Sequence, residues 1–276
     1  MNPADLTDEE QTALLAERYS QRAEAYDKHW SPVIRPAGES LIGQLAVKEA
    51  NSIIDVGTGA GALLPAIRRA APSARILGVD RSEGMLRLAR DRHVGSLALM
   101  DVQKLAIAAN RFDVAVVAFV LFHLPSPERC LREVNRVLKP GGTVGAITWA
   151  GERVPVANAV WDEELEAAGA HVVELPATDN RACCDTAEKV TALFEQAGSI
   201  VTRVWSKSIE YQWRPEDHFD YQMRSTSRLR LQSLDEADRE ACLHRIHKRL
   251  SGSNHEQYVY SGEVVMAIGR KAAEAK

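Results

Sequence analysis

Apolar residues fall along this chain in two alternating rhythms. From position 52 onward, short runs of Val, Ile, Leu and Ala alternate with stretches in which apolar side chains recur every three or four residues. The first rhythm suits a strand buried on both faces, the second a helix with one buried stripe. The expected elements are strand 52–56, helix 61–70, strand 75–79, helix 83–92, strand 96–100, strand 112–120, helix 127–138 and strand 143–149. Helix 127–138 carries Leu131, Val134, Val137 and Leu138 on one stripe and stops at Pro140-Gly141-Gly142, because proline cannot continue a helix and glycine admits the turn. Strands alternating with helices predict an α/β fold, its sheet mostly parallel with helices on both faces.

The flanks follow other patterns. Thr7 and Glu10 have the spacing of a capping box, followed by Ala13, Leu14 and Leu15 and then a polar stretch with Tyr19, Arg22, Tyr26 and Trp30; this reads as an N-terminal helical cap over 1–37. A core over 38–150 follows. Beyond it the rhythm loosens into a helix near 155–168, an ill-defined stretch at 182–185, and a helix over 186–197 with Val190, Leu193, Phe194 and Ala197 on one face before Gly198. A strand over 200–211 comes next, then helical material over 214–257, and a final strand near 258–269. Within that helical material, Ser233 and Glu236 read as the capping box of a helix whose apolar side is Cys242, Leu243, Ile246 and Leu250. Residues 151–276 are therefore expected to complete the sheet, with lid insertions at about 151–185 and 214–257 on the same core.

Composition narrows the function class. The 276 residues are 45% hydrophobic and 26% charged, which excludes disorder and fibre, and the formal charge of −4 offers no overall positive field for nucleic acid or an anionic membrane. Cys130, Cys183, Cys184 and Cys242 are too few and too irregular for a disulfide framework, and no histidine cluster joins them, so no metal site is expected. The first ten residues carry Asp5, Asp8, Glu9 and Glu10 instead of a basic and then apolar leader, and the apolar run 114–122 is half of the roughly 20 residues a membrane helix needs. A cytoplasmic protein working on a small molecule is the expectation.

Chemistry concentrates at strand ends. Strand 52–56 runs into Gly57-Thr58-Gly59-Ala60-Gly61, a turn whose glycines let backbone N–H groups approach a ligand closely. The spacing is GxGxG and not the GxGxxG of a dinucleotide turn, and Asp55 stands two residues before the first glycine. An anion there repels phosphate and favours an ammonium group. Asp80 closes the next strand 19 residues past Gly61, where a carboxylate suits both hydroxyls of a ribose. Asp101-Val102, after the third strand, offers a carboxylate for an exocyclic amine beside an apolar residue for a ring face.

In order and spacing, IIDVGTGAG, ILGVDRSEGML, MDVQKLAI, RFDVAVVAFVLFHL and LREVNRVLKPGG over 53–142 resemble the class I S-adenosylmethionine-dependent methyltransferases, and RAEAYD at 22–27 resembles the cap segment of small-molecule members. The resemblance implies a Rossmann-like, seven-stranded sheet with its last strand antiparallel and S-adenosylmethionine at the C-terminal strand ends. It implies that Gly57, Thr58, Gly59 and Gly61 pass beneath the methionine part, with Asp55 near its ammonium. Asp80 would hold the ribose, Asp101 and Val102 the adenine, and Arg81 and Met85 are further cofactor-binding candidates. Phe119 would face the cofactor from the fourth strand, and Tyr19, Arg22 or Tyr26 would close over it from the cap. Ala106 stands where the family often has proline, and nothing beyond 150 matches a motif.

A sulfonium methyl is already electrophilic, so the protein's task is to align a nucleophile in a dry pocket and, for a hydroxyl, to remove its proton. His123 after the fourth strand is the leading base, with His171, Glu152 and Tyr26 behind it. Trp30, Trp149 and Trp213 are the candidate walls for an aromatic acceptor. Arg224, Arg228 and Arg230 lie among Asp217, Asp220, Asp235 and Glu236 and read as a solvated face. O-methylation ranks ahead of N-methylation, with C-methylation behind both. The alternatives are a cofactor-binding protein that transfers no methyl and an RNA or protein methyltransferase, the latter disfavoured by the charge. The acceptor, its methylated atom and the oligomeric state stay open.

Overall fold

A computed structural model describes residues 6–92, 94–171, 180–252 and 254–273. Its centre is one seven-stranded sheet in the order β3-β2-β1-β4-β5-β7-β6, mostly parallel, with antiparallel pairing at the last strands. The strands are β1 (Ser52–Val56), β2 (Arg75–Asp80), β3 (Ser96–Leu99), β4 (Phe112–Ala118), β5 (Leu138–Arg153), β6 (Ser199–Gln212) and β7 (Val259–Lys271). β1 is buried along its whole length and lies in parallel register with both β2, Asp55 opposite Gly78, and β4, Asp55 opposite Val116. Strand order reverses between β1 and β4, and in open α/β sheets the C-terminal side of such a reversal is where a crevice forms.

Helices α4 (Leu64–Ala70), α5 (Glu83–Arg90) and α6 (Pro127–Val137) follow β1, β2 and β4. The expected stripe of α6 is its buried face, with Cys130 joining Leu131, Val134 and Val137. Two element starts moved by three residues or more. Helix α4 begins three residues later than expected because Gly57, Gly59 and Gly61 all adopt positive φ, which a right-handed helix cannot contain. Strand β5 starts at Leu138, opposite Phe112, so Pro140-Gly141-Gly142 lies within the strand at a register irregularity.

Before β1, the chain forms α1 (Asp8–Gln21), α2 (Ala23–His29) and α3 (Ser31–Ile42). The Thr7–Glu10 capping box forms at the start of α1. After β5 come α7 (Val156–Ala167), α8 (Ala187–Gln196), α9 (Pro215–Gln222), α10 (Thr226–Gln232) and α11 (Glu236–Leu250). Ser233 does not cap α11. Asp235 does, accepting from the backbone N–H of Asp238, while Ser233 closes α10 and donates to the Arg230 carbonyl. Among the described residues, no helix is long and apolar enough to cross a membrane.

The contacts divide the chain into two compact units, one drawn from Met1–Gly151, Pro176–Lys207 and Glu263–Lys276, the other from Glu152–Leu175 and Ser208–Gly262. The second has its own core: Trp161 and Leu165 of α7 against Leu231, Leu234, Cys242 and Ile246, with Leu243 and Leu250 at its margin. Its polar side is ion-paired, Glu164 with Arg245 and Arg249 at 2.7 and 2.9 Å, Arg224 with Asp220, and Arg230 with Asp162. In the first unit Cys184 is buried against Thr148, and Cys183 donates to the Asn180 carbonyl.

Candidate active site

At the C-terminal ends of β1, β2 and β4 lies a cavity enclosing about 1000 Å³, its mouth included, of a size suited to a nucleoside-sized ligand. Its floor is the glycine turn. Gly57 has φ +72°, and a Cβ there would strike Val120 after β4; Gly59, φ +54°, has nothing within 4 Å of a Cβ position. The turn is held from β2, because the backbone N–H groups of Gly57 and Thr58 both donate to the Val79 carbonyl. Gly61 does not line the cavity; its φ of +76° and the tight approach of Ala89 on α5 explain the glycine.

Three carboxylates face this space. Asp55, 2% exposed, accepts from the Thr58 hydroxyl at 2.6 Å. Burial, with Asp80 nearby, pushes its pKa up to about 6 against the Thr58 hydrogen bond. Asp80 accepts from the N–H groups of Gly59 and Ser82, both at 2.8 Å, which fixes the carboxylate plane between the glycine turn and the start of α5. Burial holds its pKa above the ordinary range despite those donors. Ser82 caps α5, accepting from Met85, as its position before that helix implies. Asp101 accepts from the Gln103 N–H at 2.8 Å and pairs with Arg81 at 3.0 Å. Val102 and Met85 are buried beside it in the cavity wall.

The remaining wall joins the cap to the end of β4. Phe119 adopts φ +60°, an uncommon conformation for a bulky residue, and packs on Trp149 at 4.9 Å between ring centroids. The Tyr19 hydroxyl and His123 Nε2 share a hydrogen bond of 2.8 Å, and Tyr19 meets Tyr26 edge to face at 5.4 Å. Burial, together with Tyr19, Asp80 and Asp27, holds the Tyr26 hydroxyl well above the usual phenol range, so it stays protonated.

Of the residues expected from sequence, the cavity gathers Asp55, Gly57, Thr58, Gly59, Asp80, Arg81, Met85, Asp101, Val102 and Phe119, with Tyr19, Tyr26 and His123. Arg22, at the joint of α1 and α2, and Trp30, at the joint of α2 and α3, do not line it. Trp149 stands behind Phe119. Trp213 belongs to the second unit, among Tyr211, Tyr221 and His218. Sequence reasoning missed Thr12, Leu15 and Ala16 of α1 and Ser31 and Ile34 of α3. Thr12, Leu15, Ala16 and Tyr19 have the i, i+3, i+4, i+7 spacing of one helix face, the signal that identifies them.

Comparison with known proteins agrees with this geometry. The family described as Methyltransferase domain matches residues 54–145. The ubiquinone/menaquinone biosynthesis C-methyltransferase UbiE of Bordetella parapertussis is 36% identical over 124 residues, covering 43% of this chain and 48% of that protein. The matching chain thus spans about half the length of such curated relatives. Among solved structures, the [4+2]-cyclase SpnF aligns with a TM-score of 0.58 at 16% identity, over 95% of this chain and 96% of its own. Phosphoethanolamine N-methyltransferase 2 of Haemonchus contortus, solved with phosphomonomethylethanolamine and S-adenosylhomocysteine, aligns with a TM-score of 0.54 at 13% identity, over 98% of this chain and 61% of its own. At those identities the likeness concerns the fold. Residues 54–145 and the cavity they build thus match a methyltransferase domain, the likeness that the class I S-adenosylmethionine-dependent methyltransferase motifs implied.

Proposed function

We propose that this protein transfers the methyl group of S-adenosylmethionine to a hydroxyl of a small molecule and releases S-adenosylhomocysteine. The observation that carries the reading is one cavity in which the carboxylates of Asp55, Asp80 and Asp101 and the glycine turn meet the Tyr19–His123 pair. The donor set fits the cofactor. Asp55 is a buried carboxylate with a hydroxyl partner and no ion pair among the described residues, the environment an ammonium group stabilises. The two Asp80 oxygens, held by the backbone N–H groups of Gly59 and Ser82, would accept from the ribose hydroxyls. Asp101 and Val102 would take the edge and face of the adenine.

When bound, S-adenosylmethionine supplies an electrophilic methyl on sulfur. This chain's residues then have to exclude water, orient the acceptor and take its proton. In this reading the apolar faces of α1 and α3 and the ring of Phe119 exclude water, and His123 takes the hydroxyl proton while Tyr19 fixes the imidazole ring. A second reading, methylation of a carbon activated by a neighbouring hydroxyl, draws support from the C-methyltransferase relatives; it needs the same proton acceptor. We place the protein in the cytoplasm on its four unbridged cysteines, and assign it no nucleic-acid partner on its net charge of −4.

Two measurements test the proposal: calorimetric titration with S-adenosylhomocysteine, and incubation with methyl-deuterated cofactor and a metabolite extract, read by mass spectrometry. Saturable binding and a deuteromethylated small molecule are expected. No binding at millimolar ligand sinks the cofactor assignment. Binding with no labelled product overturns methyl transfer and leaves the cofactor-holding alternative.

A further inference from the structure

One side chain outside the cavity wall joins the cap to the floor of the site. Arg92 follows α5. Its Nη2 donates to both carboxylate oxygens of Asp27 in α2, at 2.6 and 2.8 Å, and its Nε donates to the Ala60 carbonyl in the middle of the glycine turn, at 3.3 Å. Asp27 also accepts from the Ser31 hydroxyl at 2.9 Å, and Ser31 and Tyr26, on either side of that carboxylate, line the cavity. Ala60 is itself buried against Ala23 of α2 and Met85 of α5, with Tyr19 and Tyr26 packed around them. The cap therefore meets the cofactor turn through an apolar contact and, beside it, through one guanidinium.

We infer that Arg92 is a positioning residue: its guanidinium fastens α2 to the Ala60 carbonyl, so that the glycine turn and the Tyr19–Tyr26 wall move as one body and a bound nucleoside cofactor is retained. The inference rests on the cofactor reading above. A planar fork carrying several N–H groups holds the Asp27 carboxylate and a backbone carbonyl at once, and the single ammonium of lysine cannot span both. The pair is about one-third exposed on each side, so water screens part of its attraction. The remaining contribution is a modest one, and it is felt in the rate at which the cap lets go.

The test compares Arg92→Met, Arg92→Lys, Asp27→Asn and the double variant Arg92→Met/Asp27→Asn with the wild-type protein. Arg87→Met is the control, because Arg87 of α5 also pairs with α2, through Glu24 at 3.8 Å, but at an exposed position away from the turn. The readouts are the dissociation rate of S-adenosylhomocysteine and hydrogen exchange over α1 and α2. Arg92→Met is expected to raise the dissociation rate about fivefold, the size of a partly screened ion pair with one added hydrogen bond, and to speed exchange in both helices. Asp27→Asn should act similarly, the double variant no more strongly than the stronger single one, Arg92→Lys in between, and Arg87→Met like wild type. If folded Arg92→Met and Asp27→Asn proteins release ligand and exchange at wild-type rates, or Arg87→Met matches them, the inference is overturned. Should Arg92→Met fail to fold, Arg92→Lys and Asp27→Asn decide. A wild-type protein that binds no cofactor sinks the function reading instead; the exchange arm then decides the clasp alone, with unchanged exchange in Arg92→Met overturning it.

Discussion

Asp55 has the sharpest consequence of any single side chain. Its pKa near 6 means that the carboxylate takes up a proton as pH falls through 6, and a neutral acid attracts an ammonium group far less than an anion does. Affinity for S-adenosylhomocysteine is therefore expected to fall about tenfold between pH 7 and pH 5. Asp55→Asn should bind weakly at both pH values and lose this dependence, as titration calorimetry at each pH will show. In the cofactor-free protein the sign is opposite: this group favours the fold below its raised pKa and costs stability as pH climbs from about 4 through 6. Asp80→Ala removes the carboxylate proposed to hold the ribose and the tie to Gly59, and should abolish binding; unchanged affinity would take Asp80 out of the site. The place of Asp55, Asp80 and Asp101 around the cavity was legible in sequence because each stands at or just past the C-terminal end of a short apolar strand. The tryptophans were not, because an aromatic in a variable segment carries no mark of which way it faces.

Helices carry information that depends on their neighbours. In α9, His218 is 1% exposed, with Nε2 against Asn158 Oδ1 of α7 at 2.7 Å and Nδ1 buried without a partner among the described residues. Burial pulls its pKa down to about 4, so the imidazole is neutral at pH 7. A histidine depressed in the folded state contributes stability that is present above its unfolded pKa near 6.5 and is lost as pH falls toward 4, roughly 3 kcal/mol at most. Denaturant unfolding followed by hydrogen exchange in α7 and α9 should show the second unit weakening between pH 7 and pH 4.5. In His218→Gln that pH dependence should largely vanish; a slope equal to wild type would assign it elsewhere. Helix periods and caps were largely readable, as Thr7, Ser82 and the stripe of α6 show. At α11 two capping residues competed two positions apart, and only the backbone conformation at Asp235 separates them. Gly84 illustrates the same limit: it looks ordinary in sequence, yet a Cβ there would collide with the Ser20 backbone where α1 crosses α5.

Across the whole molecule, a net charge of −4 supplies no overall positive field to gather an anionic polymer. Raising salt from about 50 to about 300 mM should change methylation of a neutral acceptor less than about twofold, whereas an enzyme that neutralises several phosphates loses orders of magnitude over such a range. A steep salt dependence in steady-state turnover would return a nucleic acid to consideration. The strand–helix alternation, the fold class and the carboxylates of the cofactor half follow from the order of residues, because strand burial, glycine turns and helix periods are set by neighbours within a few positions. The pairing of Tyr19 with His123 across 104 positions and of Asp27 with Arg92 across 65 does not. Those contacts, and the division of the C-terminal half between two units, depend on how packed helices cross, and that is fixed by side-chain interlocking between segments that no local pattern connects.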